Sequence, residues 1–280
     1  AIESVSKSCV SSLTGGNDNE ILLFNPLPWS RNERVFVPYS SVESRKEFSL
    51  DEEGKPPHAK LIVQGSAADS SFVCQPVAAE TQDLMDNRPA GWWTIVEMPS
   101  LAMIQAKIVP YNSEEKALSI SVDGSLNLSN GITSISLNPQ DGSISEIKSE
   151  GINGGENLVQ GDENFTIKGY EDTPKSYPAW NIRKEYWKHP LNFDQAKGLE
   201  FEILDQGPVF VTLGIRRVLE AIDTDGNSVS SPVLQKIRLF AKDPTIYCAW
   251  ESNWKQKDVL LKIEMHSNTN PVDVVLDEQY

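Results

Sequence analysis

The sequence predicts an all-β protein, a β-sandwich, on three observations. Apolar residues recur at every second position in several short segments, clusters of turn-forming residues punctuate those segments, and beyond the first sixteen residues no helical period intervenes. Strands at short spacing joined by turns build a sandwich, whereas a βαβ sheet needs helices between its strands.

The start of the chain is the exception. Ile2, Val5, Cys9 and Leu13 recur at spacings of three and four, which puts them on one face of a helix that Gly15 and Gly16 stop. A helix this short is not stable alone. Residues 1–14 therefore read as the end of a helical domain whose partners lie upstream, and the chain as a piece cut from something longer.

The strands follow. ILLFNPLPW is a buried run closed by a turn with two prolines, and RVFVPYS resumes as a second strand. Residues 41–60 are charged and contain Pro, and read as a loop between strands because LIVQG follows directly. Val209, Val211, Leu213 and Ile215 share one face of a strand, as do Val259, Leu261, Ile263 and Met265. Turns are expected at NPQDGS (138–143), DQGP (205–208), DTDGNS (223–228) and AKDPT (241–245). No repeat of fixed period occurs. The polar patch VPYNSEEKALS, 109–119, separates a small β unit (15–115) from a larger one (116–280).

Composition removes several functions. A formal net charge of -15 with no local Lys/Arg stripe repels phosphate backbones and anionic lipid, so neither nucleic acid nor a membrane is an expected partner. No run approaches the roughly 18 apolar residues of a membrane span. AIESVSKSCVSSL has neither the basic end nor the apolar stretch of a signal peptide, which points to the cytoplasm. Cys9, Cys74 and Cys248 form no C-x-x-C pair and fit a reducing compartment, with Cys248 in IYCAW expected to be a buried, inert thiol. The triplets at Asn127 and Asn164 match glycan acceptors and occur easily by chance.

A search for catalytic chemistry returns little. His58, His189 and His266 are far apart, and no paired-His, H-E-x-x-H, Walker, G-x-G-x-x-G or G-x-S-x-G pattern is present. No catalytic residue and no metal ligand can be assigned, and no cofactor is expected in this chain. The stretch EDTPKSYPAWNIRKEYWKHPL, 171–191, is the exception in character. It holds two Trp, two Tyr and three Pro with neither helical nor strand period. Such aromatics either pin a long loop onto the sandwich or, at Tyr177 and Trp180, offer flat faces to a sugar ring.

Four segments resemble glycoside hydrolase family 38 α-mannosidases. NEILLFNPLPWSRNERVFVP is similar to the family's F-N-P-L-x-W-x-R segment, and SLNLSNGITSISLNPQDGSISEI to its strand and hairpin. ENLVQGDENFTIKGYEDTPKSYPAWNI resembles its D-x-P-x-x-Y-D-A-W-D-I block, and VLQKIRLFAKDPTIYCAWESNWKQKDVLLKIEM its later strand pair. The likeness runs over most of residues 19–276.

The resemblance implies a small β-sandwich followed by the first part of a larger, galactose-mutarotase-like supersandwich, incomplete here, with residues 1–14 as the remnant of a helical bundle. It implies a parent enzyme that hydrolyses α-mannosides with retention, on a zinc-bearing catalytic barrel that would be this region's partner in the same polypeptide. Nucleophile and zinc ligands belong to that barrel, so the region alone is expected to be inactive toward its mannose-containing glycan. Asp172, Tyr177, Trp180 and Asn181 fall on the family's D-x-P and D-A-W-D elements and are the candidate substrate-binding residues. The match is imperfect there: Pro178 and Asn181 stand where the family has two carboxylates. Asp172 equally suits a turn-stabilising role. Two further readings stay open, a free-standing carbohydrate-binding module and a purely structural one.

Overall fold

The computed structural model describes residues 20–42, 45–64, 70–79, 89–111, 119–121, 126–161, 164–178, 180–222 and 228–268. The helix expected over 1–14 lies outside them. The described chain is all-β, with antiparallel strands and a few single 3-10 turns. Two compact units emerge. One comprises Ala1–Leu118 with Asp205–Val211 and Phe240–Asp243, and the other comprises Ser119–Leu204, Thr212–Leu239 and Pro244–Tyr280. The return of two short later segments to the first unit is invisible in the sequence, because it depends on pairing between distant residues.

In the first unit, β1 (Ile21–Phe24), β2 (Arg31–Pro38), β3 (Ala59–Val63), β4 (Ser70–Val77), β5 (Gly91–Met98) and β6 (Met103–Pro110) run in the order β1-β6-β3-β4-β5-β2. β4 changes partner midway. Ser70–Cys74 pair with β3, and Gln75–Val77 pair with β5. A strand that passes from one sheet to the next makes the corner of a sandwich, and the six strands close on one core containing Leu23, Val37, Leu61, Cys74, Trp92 and Ile108.

Local chemistry explains the connections. Between β1 and β2 the Pro-containing turn is held by Asn25, fully buried, whose amide donates to the carbonyls of Trp29 (3.0 Å) and Pro99 (2.7 Å) while its oxygen accepts from Leu27 N–H (3.2 Å). The charged segment expected as a loop follows a 3-10 turn at Tyr39–Ser41, carries a second at Lys46–Phe48 and contributes Phe48 to the core, its ring edge-on to Trp92 at 5.3 Å. Trp92 satisfies its indole N–H on Pro57 O at 2.7 Å. Gln75, also buried, accepts from the backbone N–H of Val209 (3.1 Å) and Phe210 (2.8 Å), which ties the 205–211 segment into this unit.

The second unit begins with β7 (Ser119–Ser121), β8 (Leu126–Ser129), β9 (Thr133–Leu137) and β10 (Ile144–Ser149), a meander in the order β10-β9-β8-β7. The turn expected at NPQDGS joins β9 to β10. Asn138 accepts from Gln140 N–H, Asp141 accepts from Ser143 N–H, and Gly142 takes the left-handed conformation at φ 69°. β11 (Thr166–Glu171), β12 (Pro190–Leu191) and β17 (Val259–Glu264) form a sheet with β11 in the centre, and β13 (Glu200–Gln206), β14 (Phe210–Ile222), β15 (Ser228–Phe240) and β16 (Ile246–Ser252) form a second meander.

The two alternating runs fare differently. Val209, Val211, Leu213 and Ile215 are all buried, and so are Phe210, Thr212 and Gly214, so this stretch is covered on both faces. On β17 the apolar face opposes Ile167 and Gly169 of β11, on the side of the Ile167, Leu219 and Val233 core. Among the described residues β17 is an edge strand, and Leu261 and Ile263 stay about 40% exposed. Asn164 is buried with its amide donated to Gln160 O and Gly161 O, so in the folded chain it offers no glycan acceptor.

Candidate functional site

The aromatic stretch leaves the central strand of its sheet and returns beside it. β11 ends at Glu171 and β12 begins at Pro190, with Gly169 opposite Leu191 and Tyr170 opposite Pro190. Proline fits an edge strand, which needs no N–H there. Glu171 N–H donates to His189 O (3.0 Å) and Asp172 N–H to Asp258 O (2.7 Å), which clamps the base of the loop.

Within it, the first half is closed by Asp172. Its Oδ1 accepts the N–H of Arg183 at 2.7 Å. Tyr177 takes a left-handed φ of 53°, uncommon for a residue with a bulky side chain, and its carbonyl accepts from both Trp180 and Asn181 N–H at 2.9 Å. Asn181 donates its side-chain amide to Ser176 O at 2.9 Å. These bonds fix the backbone of the tip while leaving its rings outside. Trp180 is 89% exposed and Tyr177 73%, and neither ring packs on another aromatic among the described residues.

The second half does the pinning. Tyr186 lies edge-on to Tyr170 at 5.2 Å and to Trp187 at 5.3 Å, and Lys262 sits 4.4 Å from the centre of the Tyr186 ring and donates to its hydroxyl. Tyr170 donates to Glu264 at 2.8 Å, and that carboxylate pushes the Tyr170 phenol above its ordinary pKa. The two uses of aromatics expected from the sequence thus divide between Tyr186, which anchors, and Tyr177 with Trp180, which project.

A cavity of about 540 Å³ opens within the loop, lined by Thr173, Pro174, Lys175, Ser176, Asn181, Ile182, Arg183, Lys184, Glu185 and His189. Arg183 is held by several partners. It pairs with Glu171 at 2.6 Å, donates to Thr173 Oγ1 at 3.1 Å and places a terminal nitrogen 2.9 Å from His189 Nε2. An arginine cannot accept, so His189 Nε2 accepts and its ring proton is on Nδ1. Glu185 is held by Lys188 at 2.9 Å.

The four sequence candidates therefore lie on one loop. Tyr177, Trp180 and Asn181 form its tip, whereas Asp172 sits at its base as the residue that closes it. Lys175, Arg183, Lys184 and His189 also line the site, and the sequence does not mark them, because they are scattered along the stretch with Glu171, Asp172 and Glu185 and form no charge run. Among the described residues no three His, Cys, Asp or Glu side chains converge as a metal site requires, so these residues do not fit zinc.

Residues 128–280 match the glycosyl hydrolases family 38 C-terminal domain. No curated protein matches the chain. Among solved structures, the fold is similar to an alpha-mannosidase from Enterococcus faecalis V583, with a TM-score of 0.60, 12% identity, and coverage of 93% of this chain and 34% of that one. It is also similar to a protein in the glycosyl hydrolase family 38 from Enterococcus faecalis, with a TM-score of 0.56, 12% identity, and coverage of 88% and 32%. At that identity the likeness concerns fold alone. The chain spans about a third of the length of each.

Proposed function

The chain belongs to glycosyl hydrolase family 38, whose C-terminal domain matches residues 128–280, and from that premise we propose that it is the β-sandwich region of a retaining α-mannosidase. In this reading it supports a catalytic barrel of the same polypeptide and lends an aromatic edge to the glycan site. The hydrolytic step, with its nucleophile and its zinc, belongs to the barrel. The described residues offer no zinc site, so no step runs through the metal here.

The observation that carries the proposal is the pair of exposed rings on a loop whose backbone is fixed. An exposed Trp or Tyr presents a flat apolar face, and the C–H face of a pyranose stacks on such a surface while its hydroxyls stay in water. Binding then costs little ordering, because the Asp172–Arg183 and Tyr177–Trp180 bonds already hold the tip. Asn181 has given its amide to Ser176, and its carbonyl oxygen accepts from a sugar hydroxyl. Asp172 acts through the loop, as a positioning residue.

A second reading, a carbohydrate-binding module without catalysis, draws support from the same closure: the loop is completed by residues of this chain. Hydrolysis of an aryl α-mannoside separates the two. The 280-residue chain and the product of its complete reading frame would each be assayed with added zinc and with chelator. Activity confined to the longer protein and abolished by chelator is the expected result. Activity in the short chain would mean that a catalytic site exists among its own carboxylates, and no activity in either would favour the binding module.

A further inference from the structure

We propose that the cavity of the 173–189 loop is an anion site, and that the sugar stacked on Tyr177 and Trp180 carries an anionic substituent such as a phosphate ester or a uronic carboxylate. The inference rests on the sugar-binding reading and names the class of sugar.

Charge is the first argument. The chain as a whole carries -15, yet Lys175, Arg183 and Lys184 line one cavity; Glu171 offsets Arg183 and Lys188 holds the lining carboxylate of Glu185, so the surplus positive charge rests on Lys175 and Lys184. Lys175 and Lys184 make no ion pair or hydrogen bond among the described residues. The acids of the same loop are already engaged, Glu171 by the Arg183 guanidinium, Asp172 by the Arg183 N–H and Glu185 by Lys188.

Preorganisation is the second. Glu171 and Thr173 fix the Arg183 guanidinium, which otherwise loses rotamer freedom on binding, and a fixed fork recognises planar or tetrahedral oxyanions well. Thr173, Ser176 and Asn181 bring neutral hydrogen-bonding groups to the same wall. A volume of about 540 Å³ holds a charged substituent with part of its sugar.

Third, the cavity and the rings share one short segment. Ser176 and Asn181 line the cavity, and between them in sequence lie Tyr177 and Trp180. A ligand reaching both presents an apolar ring face and a negative group on one small molecule, which describes an acidic sugar. A long polyanion is disfavoured, because its remaining charges would meet the acidic surface beyond a Debye length of about 8 to 10 Å.

The test titrates the full chain with methyl α-mannoside, mannose 6-phosphate, mannuronate and inorganic phosphate, read by tryptophan fluorescence, in wild type, Lys175→Ala, Lys184→Ala and Lys184→Arg. The expected result is that an acidic sugar binds more tightly than the neutral one. Each Lys→Ala change then weakens it about fivefold, Lys184→Arg does not, and added salt reduces the preference. The acidic sugar that binds better identifies the substituent. Equal binding of neutral and acidic sugars, unaffected by the lysines, would overturn the anion site and leave the sugar reading standing. Lysine-dependent phosphate binding without any sugar binding would uphold the anion site and remove the sugar. Binding of none of the four would overturn both.

Discussion

Asp172 Oδ1 accepts the main-chain N–H of Arg183 at 2.7 Å, so that one carboxylate joins the two ends of the segment that displays Tyr177 and Trp180. A bond across eleven residues closes the loop before any ligand arrives. Replacing Asp172 by Ala should open it at a cost of about 1 kcal/mol, and trypsin should then cut faster at Lys175 and Lys184. Asp172→Asn keeps an acceptor oxygen and should behave as wild type. Equal cleavage rates in all three proteins would show that the bond does not hold the loop.

Gln75 offers a larger effect. Its oxygen satisfies two buried N–H groups, those of Val209 and Phe210. Gln75→Leu leaves both unpaired and should lower stability by about 3 kcal/mol, measured as a shift in urea midpoint at constant slope. Gly207→Ala places a methyl group 2.4 Å from the Gln75 side-chain carbonyl carbon and displaces the same amide. The double variant should therefore lose much less than the sum of the two, and simple additivity would contradict the shared cause.

Thiol chemistry gives an independent check. Cys74 is fully buried, whereas Cys248, expected to be buried, is only half-buried; desolvation still pushes both thiols up to about 12, so at mildly alkaline pH both are protonated. In a Cys9→Ser background, an aromatic disulfide reagent should find no fast-reacting thiol in the native protein and two after denaturation. Rapid modification of either cysteine in the folded state would contradict this.

Glu220 supplies a pH signature. Its pKa falls to about 2, chiefly because Lys197 pairs with it, with Ser228 and Ser230 adding hydrogen bonds. The folded value lies below the ordinary carboxylate value of about 4.3. The stabilisation is therefore present above that value and is lost as pH falls toward about 2. Glu220→Gln should flatten the fall in urea midpoint over that window. Since the pair is exposed, added salt should shrink the difference.

Period and turn chemistry made the all-β class legible, and the 209–215 and 259–265 runs show where period stops informing. Alternation marked one face of each. It could not show that β14 is covered on both sides or that β17 lies at an edge, because cover depends on which strands become neighbours. Phe48 was hidden for the same reason: its neighbours in sequence are charged, and its contact is Trp92. In the candidate site, residue type marked the loop, but Tyr177 and Tyr186 look alike in sequence. Only the positions of Tyr170 and Lys262 distinguish the ring that anchors from the ring that projects. The cations are scattered among acids in the sequence, and their convergence on one cavity depends on how the loop folds.

The central claim is that Trp180 and Tyr177 form a sugar-stacking edge, and a tryptophan-fluorescence titration with methyl α-mannoside tests it most directly. The wild-type chain should give a saturable change that Trp180→Ala abolishes and that Trp187→Ala, beside the anchoring Tyr186, retains. A titration that never saturates, or one that Trp180→Ala leaves intact, would contradict the account.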